Sequence, residues 1–168
     1  TSSITELYYA VMAARIRIYL ASTSPRRHRL LSDIGFEFEI VNPETDEIER
    51  KGESPRSMVR RFAIEKADAA RGRLVSPSGI LIAADTTVVS PDRKHILNKP
   101  TSRARAEKIL RTISGKTHVV LTGYVIDAIK DGKVTRRHLA IVTTSVTMRK
   151  LSSGEIADYV AQGEPMDK

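Results

Sequence analysis

The chain has 168 residues, of which 40% are hydrophobic, and it carries a net charge of +8 with no cysteine. This length and composition predict a single domain with a sizeable core and room for two lobes around one sheet. Disulfides and thiolate metal sites are excluded, and no apolar run approaches the ~20 residues that a membrane span requires.

The positive charge favours an anionic partner. Nucleic acid, a membrane surface and free nucleotides are all candidates, as is a basic surface without any partner. Aromatic residues make up only 5% of the chain, and no basic run is interleaved with them. That composition argues against a platform that stacks single-stranded bases.

Residues 1–15 are predicted to form an N-terminal extension, with a short helix over residues 4–14 or a leader without regular structure. Glu6 stands where a secretory signal would be positive, and Arg15 and Arg17 lie where its cleavage region would be. We therefore expect a cytoplasmic protein, with which the lack of cysteine is compatible.

The first elements alternate between strand and helix. Residues 15–20 predict a strand, and Ser24-Pro25 predicts the start of a helix by an N-cap followed by proline. Residues 36–41 predict a second strand, and residues 42–47 a loop that ends in two acids. The predicted buried stripe of this first helix comprises Leu30, Leu31 and Ile34.

A second helix is predicted from Ser54 to about Arg71, opened by the same cap and proline. Residues 80–90 predict a strand whose first part, ILIAA, is apolar enough to be buried on both faces, and residues 102–113 predict a further helix. The expected buried stripe of the Ser54–Arg71 helix comprises Val59, Phe62, Ala63 and Ala70.

The last third of the chain predicts a long hairpin and a closing helix. The hairpin turns at residues 130–133, whose Asp-Gly pair is typical of a tight turn. Ser152 and Glu155 form a capping box for a helix that ends near Gln162. The mixed order of elements predicts an α/β sheet with helices on its faces.

The segment LASTSPRRHRLL joins the first strand to the first helix and is rich in donors. Ser22, Thr23 and Ser24 offer hydroxyls next to a helix N-terminus, which attracts anions. Arg26 and Arg27 lie in the first turn, where the helix dipole disfavours cations. A bound phosphate would offset that penalty, so the join is interpreted as a phosphate cradle. The alternative is an ordinary turn with solvated arginines.

Lys66 lies on the apolar face of its predicted helix, four residues after Phe62 and seven after Val59. Two interpretations remain open from the pattern alone. The side chain either extends along the apolar face to reach solvent, or points its ammonium into a cleft floored by the sheet.

Two acids are candidates for metal chemistry. Asp85 leaves an apolar strand, where a carboxylate is costly unless it is paired or binds a metal. Glu47 follows Asp46 in the loop and could supply a second oxygen, a set that suits Mg²⁺ rather than zinc. The alternatives are a strand-end cap for Asp85 and a solvated loop acid for Glu47.

Lys99, before Pro100 and a helix start, is a third possible cation for phosphate. The four histidines show no ligand spacing, and we interpret them as surface or packing residues: His28, His95, His118 and His138.

Seven motifs occur in order from about residue 16 to the last residue: LASTSPRRHRLLSDIGFEFE, the Asp46-Glu47 pair, FAIEKA, LIAADTTVV, LNKP, ISGKTHVVLTGYVI and GEPMDK. In sequence and order they resemble those of the Maf family of nucleoside triphosphate pyrophosphatases. The resemblance implies a Maf-like domain over residues 16–168, with an elongated mixed α/β sheet, flanking helices and a central cleft, related to the inosine triphosphate pyrophosphatases.

The resemblance also implies an activity. Maf proteins cleave nucleoside triphosphates between the α and β phosphates with a divalent cation such as Mg²⁺ or Mn²⁺, and are often homodimers. On that basis Ser22, Arg26 and Arg27 match the phosphate-binding motif, and Asp85 the proton acceptor. The other matched cleft residues are Glu47, Lys66 and Lys99, with Glu47 and Asp85 as the expected metal ligands.

The branch of the family can also be assigned by resemblance. The branch acting on 7-methylguanosine triphosphate has tryptophan in place of the first arginine and Ser-Asp-Gln around the acid. This chain has Arg26 and Ala84-Asp85-Thr86, and so it resembles the branch acting on dTTP and UTP. Arg26 and Thr86 are therefore expected to help set base preference.

The chain departs from the family pattern after Lys168. Family members continue through a segment similar to AGAYGIQG and a final helix, so we expect the C-terminal part of the family domain to be absent, together with a glutamine that helps recognise the base.

The rival hypothesis is a nucleic-acid-binding or cell-division (septum) regulatory protein that uses the basic cluster without catalysis. Glu47 and Asp85 argue against it, because carboxylates in a basic cleft repel a nucleic-acid backbone but serve metal-dependent hydrolysis. We expect neither nucleic acid nor a membrane as partner.

Overall fold

The computed structural model describes residues 16–163, in which five strands and four helices are present. The strands are β1 (Ile18–Ala21), β2 (Glu39–Ile40), β3 (Gly79–Val89), β4 (Thr117–Lys130) and β5 (Lys133–Thr147). The helices are α1 (Pro25–Asp33), α2 (Pro55–Arg71), α3 (Arg103–Ile113) and α4 (Ser153–Ala161). The predicted extension over residues 1–15, with its helix over residues 4–14, lies outside the described residues.

The strands form one sheet in the order β2-β1-β3-β4-β5, which confirms the predicted α/β class. β1 pairs in parallel with both β2 and β3, and Ala21 stands opposite Ala83. β1 ends at Ala21, so Ser22 follows its last paired residue, while Asp85 lies two residues after Ala83, where β3 continues past the end of β1 to Val89. Asp85 therefore lies inside a strand and not at its end, contrary to the prediction from the sequence.

Burial alternates along β3, so the prediction that both faces of residues 80–84 are buried is wrong. Leu81 and Ala83 are buried, whereas Ile80, Ile82 and Ala84 on the other face are only half-buried. Further along the strand, Asp85 is buried and Thr86 is exposed. Successive side chains of a strand point to opposite faces, and only the face that carries Asp85 is buried throughout.

α2 confirms its predicted buried stripe. Val59, Phe62, Ala63 and Ala70 are all at most 4% exposed. Lys66 lies on the same side and is 6% exposed, so the apolar spacing correctly placed a charged residue on the buried face.

α1 begins at Pro25 as predicted, but its predicted stripe does not pack. Leu30 is 64% exposed and Ile34 61% exposed, and none of the residues of the helix is buried. An amphipathic pattern shows that two faces differ, without showing what covers the apolar one. The second strand is also shorter than predicted, with Glu39 held by Arg17 at 2.7 Å.

The hairpin and the closing helix are confirmed. Asp131 and Gly132 have φ of 50° and 74°, as a two-residue turn with two left-handed residues requires. The Ser152 side chain accepts a hydrogen bond from the backbone N–H of Glu155, whose carboxylate accepts one from the Ser152 N–H.

The described chain divides into two compact units, each with its own core. The first comprises the described residues up to Arg50, Arg60–Asp85 and Gly123–Ala140; the second comprises Lys51–Val59, Thr86–Thr122 and the residues from Ile141 onward. The first core includes Tyr19, Ala21, Ala63, Ala67, Leu81 and Val125. In the second unit, Ala106, Leu110, Ile113, Ile156 and Val160 join α3 to α4.

Between residues 16 and 163, no helix has the length and apolar character needed to cross a bilayer.

Candidate active site

Six of the eight predicted site residues belong to the first unit, and two belong to the second. The six are Ser22, Arg26, Arg27, Glu47, Lys66 and Asp85. The other two are Thr86 and Lys99.

Ser22 anchors the join between β1 and α1. Its residue is 4% exposed, and its hydroxyl oxygen accepts hydrogen bonds from the Ser24 N–H at 3.1 Å and from Arg27 Nη1 at 3.2 Å. A hydroxyl that accepts two bonds still carries its own O–H donor. Ser22 can therefore donate to an anion while holding the first turn of α1 in place.

The two arginines of the first turn differ in exposure. Arg26 is exposed, whereas Arg27 is half-buried beside Ser22. Burial lowers the pKa of the Arg27 guanidinium, and the negative charges of Asp85 and Glu47 oppose that shift. Arg27 thus lies within the electrostatic field of both predicted metal ligands, and a guanidinium remains charged there.

Lys66 bridges the two acids. Its Nζ lies 2.7 Å from Asp85 Oδ1 and 2.6 Å from Glu47 Oε1. Only 8% of its side chain is exposed, so the ammonium does not extend to solvent. The sequence left two interpretations of Lys66 open. The structure supports the one in which the ammonium is directed away from solvent, because both of its partners are carboxylates at hydrogen-bonding distance.

The Lys66 contacts bring Glu47 and Asp85 together from distant parts of the chain. Asp85 comes from β3 with a side chain 8% exposed, and Glu47 comes from a loop with a side chain 52% exposed. The Ile48 N–H donates to the Asp46 carbonyl at 3.0 Å, which closes a three-residue turn centred on Glu47.

The donor set of Glu47 and Asp85 fits a hard divalent cation. Mg²⁺ is usually bound by one or two carboxylates together with waters and substrate phosphates. Among the described residues, no group of three histidine, aspartate or glutamate side chains forms a metal cluster. Two carboxylates without histidine or thiolate ligands match the Mg²⁺ pattern and not that of a structural zinc site.

Thr86 follows Asp85 but points to the other face of β3. Its hydroxyl lies 3.1 Å from the Thr122 hydroxyl. Lys99 is exposed in the segment that leads to α3. Their roles in substrate binding stay predictions.

A surface depression of about 430 Å³ in the first unit contains none of the predicted site residues. It is lined by Thr45, Asp46, Ile48, Arg50, Arg61 and Glu65. The charged site residues are therefore identified as a cluster by the contacts between their side chains, and not by this depression.

Sequence reasoning missed His28. Its Nε2 lies 2.8 Å from the Ser22 carbonyl oxygen, and its ring stands 6.2 Å from the Phe38 ring. His28 thus helps to hold the backbone of the cradle in place. The one sequence signal for this contact is the position of His28, one helical turn after Ser24. His118 is buried as a packing residue, and burial lowers its pKa.

Comparison with known proteins gives a consistent family. The family described as "Maf-like protein" matches residues 17–168. The dTTP/UTP pyrophosphatase of Photorhabdus laumondii is 44% identical over 90% of this chain and 73% of its own length. Proteins of the same name from Salmonella typhimurium and Alkaliphilus metalliredigens are 43% and 38% identical, each over 90% of this chain, and over 73% and 76% of their own lengths.

Among solved structures, the nucleoside-triphosphatase / dITP/XTP pyrophosphatase of Mycobacterium abscessus is similar in fold. The TM-score is 0.50 at 14% identity, over 79% of this chain and 74% of that one. At this identity the likeness concerns the fold alone, and it confirms the predicted α/β fold class.

Proposed function

This chain belongs to the Maf family, and on that premise we propose that it is a metal-dependent nucleoside triphosphate pyrophosphatase acting on dTTP and UTP. The products are the nucleoside monophosphate and pyrophosphate, and the role is a cytoplasmic house-cleaning one that extends to modified pyrimidine nucleotides. Support comes from relatives named dTTP/UTP pyrophosphatase at 38–44% identity.

The observation that carries the proposal is the buried Lys66 ammonium between Glu47 and Asp85, in the same unit as the Ser22–Arg27 contact. An ordinary structural salt bridge pairs one acid with one base. Here one buried ammonium is shared by two carboxylates, and removing charged groups from water costs free energy. The arrangement is better explained by a reaction that needs cations for phosphate and carboxylates for metal and proton transfer.

Binding is assigned to the cations and hydroxyls of the site. A triphosphate carries about four negative charges near neutral pH, and phosphoryl transfer is promoted mainly by positioning and charge neutralisation. Ser22 donates its hydroxyl, the buried Lys66 and the half-buried Arg27 neutralise phosphate oxygens, and the exposed Arg26 adds positive charge. Lys99, which belongs to the second unit, is proposed as a further phosphate ligand from its match to the family motif.

Asp85 accepts the proton of the attacking water as the water oxygen bonds to the α phosphorus. The bond between that phosphorus and the oxygen bridging the α and β phosphates breaks, and pyrophosphate leaves. The contact with the Lys66 ammonium holds the Asp85 carboxylate at a fixed position, and a general base must be placed within reach of the proton that it accepts. Glu47 and Asp85 would hold Mg²⁺ or Mn²⁺, which when bound would withdraw charge from the phosphate oxygens and acidify a coordinated water.

We assign base preference in part to Arg26 and Thr86, the two positions at which the branches differ. The opposite direction of Thr86 and Asp85 along β3 separates this role from proton transfer. We also propose a homodimer, as the family resemblance implies, for which light scattering of the purified protein is the test.

The deciding experiment is a product assay over a panel of nucleotides with Mg²⁺ or Mn²⁺. We expect dTTP and UTP to give monophosphate plus pyrophosphate, while 7-methylguanosine triphosphate is turned over less well. Formation of diphosphate plus orthophosphate would contradict cleavage between the α and β phosphates. The nucleic-acid hypothesis is not favoured by the comparisons, and tight binding of duplex DNA without any turnover would revive it.

A further inference from the structure

The loop that carries Glu47 has no helix or strand of its own. Between Val41 and Ser54 the chain forms only turns and irregular backbone. Glu47 stands at the apex of the Asp46–Ile48 turn, with more than half of its side chain exposed. An exposed loop does not fix a ligand by itself, so its position depends on what holds its backbone.

Arg61 of α2 holds that backbone directly. Its Nη2 donates to the Ile48 carbonyl at 3.1 Å, one residue after Glu47. Its Nη1 contacts the two Glu65 carboxylate oxygens at 3.2 and 3.1 Å, and its guanidinium lies 4.5 Å from the centre of the Phe62 ring. Only 14% of the Arg61 side chain is exposed, so these contacts fix the guanidinium on the helix.

The same helix supplies further attachments for the loop. Glu65 also contacts Arg50 Nη2 at 3.4 Å, and Lys66 contacts Glu47 at 2.6 Å. Three neighbouring residues of α2 therefore hold the loop on both sides of Ile48. Among them, Arg61 is the residue whose fork binds Glu65 and the loop backbone together, which lysine cannot reproduce.

We propose that Arg61 is a positioning residue that fixes the Asp46–Ile48 turn so that the Glu47 carboxylate is presented to the divalent cation. This inference rests on the proposed function, in which Glu47 is a metal ligand. Partners that orient metal ligands contribute about 10–100-fold to metal affinity or activity. Arg61 acts through Glu47 and does not touch the substrate.

The test measures Mn²⁺ binding by electron paramagnetic resonance in the presence of an α,β-imido analogue of dTTP, which is not cleaved. Arg61→Met keeps an unbranched apolar side chain and removes the guanidinium donors, and we expect Mn²⁺ to bind about 10–100-fold more weakly. Turnover of dTTP should then recover as Mn²⁺ is raised, because the base and the phosphate ligands remain. The exposed neighbour Arg60, changed as Arg60→Met, is the control for the same loss of charge on the same helix.

A double-mutant cycle separates positioning from general loosening of the fold. In a Glu47→Gln background, Arg61→Met should weaken Mn²⁺ binding no further, because its effect passes through Glu47. An equal loss in both backgrounds, or Mn²⁺ binding at the wild-type level in Arg61→Met, overturns the inference. If Arg61→Met does not fold, Arg61→Lys takes its place with an intermediate loss expected, and binding at the wild-type level again overturns the inference.

The proposed function can fail separately. If Glu47→Gln binds Mn²⁺ as the wild type does, Glu47 is not a metal ligand, and both the metal assignment and the inference fail. If Glu47→Gln weakens binding and Arg61→Met does not, only the role of Arg61 is wrong.

Discussion

At the scale of single residues, four charged side chains of the first unit balance one another. Lys66 and Arg27 are positive, and Asp85 and Glu47 are negative, with Lys66 in contact with both acids and Arg27 affected by their charges. Burying a lone charge is expensive, whereas a neutral set with good contacts is tolerated. A metal–triphosphate complex would exchange these internal partners for new ones without leaving any of the four uncompensated.

Asp85→Asn tests the proton acceptor. The amide keeps the shape of the side chain but removes the basic oxygen, and loss of general-base action costs roughly 10²–10⁴-fold in rate. We therefore expect turnover at saturating dTTP and Mg²⁺ to fall by at least about 100-fold. The melting temperature should also fall, since Lys66 keeps only Glu47 as a partner.

Asp127→Asn is the matched control for that loss of stability. Asp127 is a buried aspartate of β4 that is paired with Arg137 at 2.7 Å, and the proposed reaction does not use it. Turnover per folded molecule should be retained in this variant. An Asp85→Asn protein with more than about a tenth of the wild-type rate would remove Asp85 from the mechanism.

At the scale of elements, the sequence correctly predicted features that depend on residues of one chain segment. These are turns with a characteristic residue pair and helices whose buried face follows from the spacing of apolar residues. The buried stripe of α2, including Lys66, follows from helical spacing, and the hairpin turn follows from Asp131-Gly132. The contact of Glu47 with Lys66 does not follow from any local pattern, because the loop is placed by tertiary contacts. The exposure of Leu30 was missed for the same reason, since periodicity does not reveal the covering partner.

Arg137 of β5 connects both strands of the hairpin to α2, because its guanidinium contacts a buried carboxylate of β4 and a carboxylate of α2. Arg137 donates to Asp127 from Nε and Nη2 at 2.7 Å each, and its Nη2 also contacts Asp68 of α2 at 2.7 Å. The hydrogen bonds to Asp127 raise the pKa of the Arg137 guanidinium above its usual range. Asp127 itself is 0% exposed, so it depends on this partner.

Arg137→Met is expected to destabilise the protein by about 3–5 kcal/mol, because it leaves the Asp127 carboxylate buried without a cation. Urea unfolding at pH 7 measures the effect. The double variant Arg137→Met/Asp127→Leu should recover much of the loss, since an apolar pair needs no counter-charge. A double variant no more stable than Arg137→Met would show that packing, and not charge, is what Arg137 supplies.

The capping box of α4 predicts that the thermal stability of the protein depends on pH. The carboxylate of Glu155 accepts hydrogen bonds from Arg149 and from Ser152, and these lower its pKa from 4.5 to about 2. A depressed pKa stabilises the fold above the unfolded value and loses that contribution as pH falls through the folded value. Glu155→Gln should therefore lower the melting temperature at pH 7, and the difference from wild type should shrink between pH 4.5 and 2.

Glu107→Gln is the comparison for this effect, because Glu107 also pairs with an arginine on a helix surface, at 2.8 Å from Arg111, but caps nothing. Its loss should be smaller, as exposed ion pairs contribute little. A difference between Glu155→Gln and wild type that stays constant from pH 7 to pH 3 would contradict the role of the Glu155 charge.

At the scale of the whole molecule, the net charge of +8 raises the question of whether the entire surface or only the cradle attracts the substrate. Charges separated by more than about 10 Å are largely screened at 0.1 M salt. Arg29 is exposed on α1, three residues after Arg26, whereas Lys133 of the same unit is exposed at the hairpin turn, which contacts Pro77 and Ser78 before the start of β3 and so lies at the other end of that strand. If only charges near the cradle attract the substrate, the charge at the first of these positions should affect substrate capture far more than the charge at the second.

Arg29→Glu and Lys133→Glu each lower the net charge by two, from +8 to +6, and so separate the two explanations. We expect Arg29→Glu to reduce kcat/KM for dTTP about ten-fold at 50 mM salt, with kcat unchanged, because the field near the cradle concentrates the substrate. The loss should disappear near 0.5 M salt, where screening removes the field. Equal losses in both variants would show that the net charge of the molecule, and not the cationic turn of α1, attracts the triphosphate.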